Sequence, residues 1–77
     1  MDLKEIIINH GSTVRTIIKR ITNEHNEDLE QEVYTRVWKN SDKYEEKGTL
    51  SAWIRTISAN LSKDYLKSSQ KKLDDNT

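Results

Sequence analysis

The chain contains no cysteine, no proline and no phenylalanine, and its 77 residues include only two glycines, Gly11 and Gly48. Without cysteine there is neither a disulfide framework nor a thiolate metal site. Histidine is almost as scarce. His10 and His25 stand fifteen positions apart with no ligand pattern beside either, so neither a metal centre nor a histidine-based catalytic device is expected, and no cofactor. Few glycines and no prolines exclude the many tight turns of an all-β fold and point to helices joined by short connectors. No apolar run reaches the roughly 20 residues that cross a bilayer, and the N-terminus lacks the basic flank and apolar stretch of a signal peptide. A cytoplasmic protein with no membrane partner is the expectation. No nucleophile–base pair, glycine-rich phosphate loop or carboxylate–histidine cluster is visible, so no catalytic residue is assigned and an enzyme is not expected.

What the chain does have is charge, thirteen basic and thirteen acidic residues that cancel to zero. The distribution is uneven. Glu24, Glu27, Asp28, Glu30 and Glu32 form an acidic block with no lysine or arginine inside it. From Gly48 to Lys72, Arg55, Lys63, Lys67, Lys71 and Lys72 face only Asp64, a local net charge of +4. One reading is an ordinary solvated helical surface. The other is two faces with different partners, an acidic one for protein and a basic one for nucleic acid.

Apolar periodicity gives the elements. Leu3, Ile7, His10, Val14, Ile17 and Ile21 recur at alternating spacings of four and three, the period of a helix, and Ile6 and Ile18 widen that stripe. Ile6-Ile7-Ile8 alone could form a strand, but its surroundings favour helix. Gly11-Ser12 interrupts the stripe and Ser12 or Thr13 could cap a second helix, which predicts two short helices or one bent one. A turn follows over 23–26. Asn26 is a good N-cap, and Glu27 and Asp28 then sit where the helix dipole favours negative charge. Leu29, Val33, Tyr34, Val37 and Trp38 form one broad face of a helix ending near Asn40-Ser41. After the polar connector 42–48, Thr49 can cap a last helix that carries Leu50, Trp53, Ile54, Ile57, Leu61 and Tyr65 on one face and runs to about Lys67. The expected fold is all-α, a compact bundle of three to four helices with a long C-terminal helix. Residues 1–68 form the helical domain, and 69–77 read as a disordered tail or the start of a linker.

One stretch is more specific than periodicity. Residues 27–67 contain, in order, Asp28-Leu29, Gln31-Glu32-Val33-Tyr34, Val37-Trp38, Gly48-Thr49-Leu50, Ala52-Trp53-Ile54, Ile57, Asn60 and Asp64-Tyr65-Leu66. That succession resembles region two of bacterial sigma factors of the sigma-seventy family, and most nearly their compact extracytoplasmic-function branch. Residues 3–22 are similar to the preceding helices through hydrophobic spacing and the mid-segment Gly11. The departures are Glu30, where the family often has an apolar residue, which predicts a more exposed helix face; Ser58 in place of the usual alanine; and a last helix less basic than in many relatives. No helix-turn-helix domain follows, so the sequence reads as a fragment or a reduced relative.

The resemblance implies a domain that binds core RNA polymerase through the clamp helices of its β′ subunit, and that recognises and melts the minus-ten promoter element by holding its non-template single strand. An anti-sigma factor is a further partner of that kind of domain. For polymerase binding it implies Asp28, Gln31, Glu32, Thr35 and Lys39 on the second helix, a polar face whose amide and carboxylates can meet a basic coiled coil. For DNA it implies a base pocket between the 42–48 loop and the last helix. There Asn60 offers a donor and an acceptor to a base edge, Arg55, Lys63 and Lys67 track phosphates, and Lys43 and Lys47 approach from the loop. Tyr44 is the aromatic candidate for base stacking, whereas Trp38 and Trp53 fall with the valines and isoleucines and are expected in the core. The alternative is a helical interaction module that binds polymerase or another protein without reading DNA.

Overall fold

The computed structural model describes residues 2–44 and 49–75, with side chains described except at 43, 44, 49 and 69–75. Three α-helices and one short 3₁₀ turn follow one another: α1 over Leu3–Thr22, α2 over Glu27–Lys39, the 3₁₀ turn over Ser41–Tyr44, and α3 over Thr49–Asp75. Among the described residues there is no strand, so the fold is the all-α bundle that the apolar spacing predicts. α3 packs along both α1 and α2, and more extensively along α1.

Each boundary has a local cause. Asp2 caps α1 by accepting the Lys4 N–H at 3.3 Å. The helix closes on Asn23, whose left-handed backbone (φ 61°) turns its N–H back onto the Lys19 carbonyl at 2.8 Å; asparagine is among the few non-glycine residues that take this conformation cheaply. Asn26 caps α2, accepting the Leu29 N–H at 3.0 Å. At the far end the Asn40 side chain donates to the Arg36 carbonyl at 2.8 Å and Ser41 to the Trp38 carbonyl at 2.9 Å. These bonds satisfy carbonyls that the last turn leaves open.

Two features of α1 and α3 go beyond the spacing argument. Of the two alternatives, two short helices or one bent one, α1 takes the single helix, unbroken at Gly11-Ser12. Gly11 is buried and serves close approach instead of chain reversal: a β-carbon there would stand 3.1 Å from the Tyr34 hydroxyl and 3.0 Å from Arg15 Nη1. The backbone of α3 stays helical to Asp75, eight residues past the end near Lys67 that its apolar positions suggest. The capping role expected of Thr49 lies outside the described side chains.

The core joins all three helices. Ile6, Val14 and Ile18 come from α1, Leu29, Val33, Tyr34 and Val37 from α2, and Ile54, Ile57 and Leu61 from α3. On α1 the deepest positions include Ile6 and Ile18, the two that widen the predicted stripe, while Leu3 and Ile7 are partly buried against the cluster. Truncating Ile54 in this shared core (I54A) would cost about 2–5 kcal/mol, a large part of the roughly 5–15 kcal/mol that holds a domain together. Ser58 and Ser62 are fully buried one turn apart on α3. Each hydroxyl donates to the carbonyl four residues back, at 2.7 Å in both cases. Small side chains at these positions let α3 sit close to its neighbours without orphaning a polar atom, and a serine in the usual alanine's place therefore fits.

Trp38 is the clear departure. Predicted in the core, it is 46% exposed at the end of α2. Trp53 is half-buried and packs against the core. The difference is angular: Trp38 follows the buried Val37 by one residue, a rotation of about 100° around the helix, which carries it off the buried face. Finally, the Tyr65 hydroxyl donates to Glu24 Oε1 at 2.6 Å, tying α3 to the turn between α1 and α2.

Candidate functional site

α2 presents two opposite faces. Leu29, Val33, Tyr34 and Val37 enter the core. Asp28, Gln31, Glu32, Thr35 and Lys39, the five residues expected to meet a protein partner, are all exposed. At about 100° per residue they fall within a sector of roughly 100°, so one surface carries them together. Glu32, Thr35, Arg36, Lys39 and Asn40 line a shallow cavity of about 450 Å³ along it. Arg36 reaches Glu32 at 3.9 Å, one turn away; both side chains are half exposed, and such a pair contributes little to stability. The exposed Trp38 stands seven residues after Gln31, which places it on the border of the same surface. The stripe is polar along its length and aromatic at one end.

Between α2 and α3 lies a second groove of about 610 Å³, lined by Arg36, Asn60, Lys63, Asp64, Leu66 and Lys67. It brings together three of the residues expected to contact nucleic acid, Asn60, Lys63 and Lys67, all exposed. It adds one that the sequence reading lacks, Arg36. No spacing signal on α2 marks Arg36 as a partner of α3, because the pairing depends on how the helices cross. The groove therefore holds an amide that can tell donor from acceptor among three cations that cannot.

Arg55 is not part of that groove. It lies with Ser12, Thr13, Thr16, Ile17 and Arg20 in a separate cavity of about 440 Å³ between α1 and α3. The side chains of Lys43 and Tyr44, and all of Lys47, lie outside the described residues, so the loop half of the expected base pocket does too.

Glu30 reverses its expectation. The sequence predicts a more exposed helix face there, yet the Glu30 side chain is only 16% exposed. It accepts hydrogen bonds from the Tyr34 hydroxyl and from Arg15 Nη1, the latter at 3.2 Å. Burial first, and then the hydrogen bond to and charge of Glu30, raise the Tyr34 phenol well above its ordinary value of 10.0. This clasp joins α1 to α2 on the side away from the exposed stripe and fixes the roll of α2. Its signal in the sequence was faint, since fifteen positions separate Arg15 from Glu30.

Among the described residues no group of histidine and carboxylate side chains could hold a metal ion, and no helix is long and apolar enough to cross a membrane. A family model described as Sigma-70 region 2 matches residues 6–72. No curated protein and no solved structure matches the chain.

Proposed function

Because the chain belongs to the Sigma-70 region 2 family, whose role is to bind core RNA polymerase and recognise promoters, we propose that its two exposed surfaces divide that work. The α2 stripe of Asp28, Gln31, Glu32, Thr35 and Lys39 docks on the β′ clamp helices, with Trp38 as its apolar anchor. The α2–α3 groove binds the non-template strand of the minus-ten element, with Asn60 against a base edge and Lys63, Lys67 and Arg36 against phosphates.

The observation that supports this reading is that Asn60, Lys63 and Lys67 lie on α3, off the outward stripe of α2, and the two surfaces adjoin only at Arg36, which lines both. A partner on the stripe therefore leaves the α3 side of the Asn60 groove open, so polymerase and DNA can be held together. Melting follows from the same groove: unstacking a base costs a few kcal/mol, and contacts available only to an extruded strand recover part of it. Lys43, Tyr44 and Lys47 belong to this reading as the loop side of the base pocket. The compact extracytoplasmic-function branch is the assignment we favour within the family, on the Gly48-Thr49-Leu50 and Ala52-Trp53-Ile54 motifs. Cytoplasmic action and control by an anti-sigma factor go with it.

The test is binding to a minus-ten non-template oligonucleotide and to a scrambled one. Preference for the first supports the reading. Equal, weak and salt-sensitive binding to both would instead indicate a protein adaptor that does not read DNA.

A further inference from the structure

The cavity between α1 and α3 differs in chemistry from the groove that holds Asn60. Two guanidinium groups, Arg20 and Arg55, line it together with the hydroxyl-bearing Ser12, Thr13 and Thr16, and no carboxylate is among its lining residues. Neither arginine has an ion-pair partner among the described residues, in contrast to Arg15 and Arg36, which each face a glutamate. The three hydroxyls are also uncommitted. Thr22, Thr56, Ser58 and Ser62 return theirs to the carbonyl four residues back, whereas those of Ser12, Thr13 and Thr16 make no hydrogen bond among the described residues. The last turn of α1 favours a cation, which accounts for a basic residue at position 20. It does not account for a second arginine from α3 opposite three open hydroxyls.

We propose that this cavity is a phosphodiester site that α1 and α3 build jointly, with Arg20 and Arg55 paired to phosphate oxygens and the α1 hydroxyls donating to the same backbone. Guanidinium suits this ligand because its planar fork matches two oxygens at once, and hydroxyls are common phosphate donors in DNA complexes. The inference rests on the DNA-binding reading above: it takes up the phosphate role that the resemblance implies for Arg55 and extends it to Arg20 and the hydroxyls of a helix that is otherwise scaffold. Arg55 and Lys67 are twelve residues apart on α3, about 18 Å of helix. That is roughly five phosphate steps along one strand of a duplex, so a single strand's backbone can run from this cavity towards the Asn60 groove.

The experiment measures binding of the 77-residue chain to the minus-ten single strand and to the matching duplex across a salt series. Arg20→Ala and Arg55→Ala are compared with Lys63→Ala, and helicity is checked for each. Both arginines are exposed, so the fold is expected to survive. Arg20→Ala should weaken cognate and scrambled sequences alike by about threefold or more and lower the salt slope by up to about 0.7 on the single strand or 0.9 on the duplex. The form showing the larger loss identifies which one occupies the cavity. On an oligonucleotide with neutral methylphosphonates along the contacted stretch, Arg20→Ala should have no further effect. If Arg20→Ala binds like the unmodified chain while Lys63→Ala is weakened, the phosphate site is wrong and the DNA reading stands. If the unmodified chain binds neither DNA form, both are wrong.

Discussion

Tyr34 of α2 places its hydroxyl where a side chain at position 11 of α1 would have to stand: a β-carbon on Gly11 would lie 3.1 Å from it. In the middle of an exposed helix, glycine to alanine usually gains up to about 1 kcal/mol. Here the gain should be lost, because the tyrosine is buried and bonded to Glu30. We predict that Gly11→Ala lowers stability in the native chain by about 1 kcal/mol, the scale of one disturbed hydrogen bond. In the Tyr34→Phe background, where the hydroxyl is gone, the same change should be neutral or stabilising. Urea melts of the four proteins form the cycle that checks this.

The same phenol gives a pH signature. Its value in the folded chain is raised above the ordinary 10.0. The folded state therefore keeps its proton where the unfolded state has lost it, and the stability it contributes is fully present below about pH 10 and falls as pH rises beyond that. The comparison is made differentially, against a chain that lacks only this hydroxyl. Tyr34→Phe should show a shallower loss of stability between pH 10 and 11.5 than the native chain, followed by far-ultraviolet circular dichroism. Parallel slopes would mean that Tyr34 is not held neutral by its surroundings.

Much of this was legible in the sequence, and the failures have a common cause. The α2 cap at Asn26, the turn over 23–26 and the core positions Val33, Val37, Ile57 and Leu61 follow from local rules of capping and period. So does the exposure of Asp28, Gln31, Glu32, Thr35 and Lys39. What failed depended on the neighbouring helix. Gly11 looks like a break because a lone chain cannot show the tyrosine that needs the space. Glu30 looks exposed because its partner Arg15 lies on another helix. Trp38 looks buried because a broad apolar face has an edge, and only the packing says where it falls. Arg36 meets Asn60, and Arg20 meets Arg55, only through the helix opposite, and nothing on their own helices announces it.

Ser58 tests how tightly α3 is seated. Its hydroxyl serves only the Ile54 carbonyl of the same helix. Ser58→Ala should therefore change stability by less than about 1 kcal/mol, whereas Ser58→Leu should cost about 1–3 kcal/mol through overpacking. Thermal or urea unfolding distinguishes the two.

The tryptophans can be separated by fluorescence. In a Trp53→Phe variant the remaining Trp38 should be readily quenched by acrylamide. In Trp38→Phe the remaining Trp53, half-buried against the core, should be less accessible. Because Trp38 contributes little to the core, Trp38→Ala should leave stability within about 1 kcal/mol of native while weakening binding to a β′ clamp fragment by roughly tenfold, the scale of a lost aromatic anchor.

On the proposed function, polymerase and DNA use different surfaces of one small bundle. The most direct measurement titrates three proteins, the native chain, Gln31→Ala/Glu32→Ala and Asn60→Ala, against both a β′ clamp fragment and the paired cognate and scrambled minus-ten oligonucleotides. The α2 pair should lose clamp affinity by roughly tenfold or more with no loss of DNA binding, because removing Glu32 only frees Arg36 at the edge of the groove. Asn60→Ala should keep clamp affinity and lose about 1–3 kcal/mol of preference for the cognate strand. A loss of both activities in either variant at native helicity, or clamp binding untouched by the α2 pair, would contradict the division of labour.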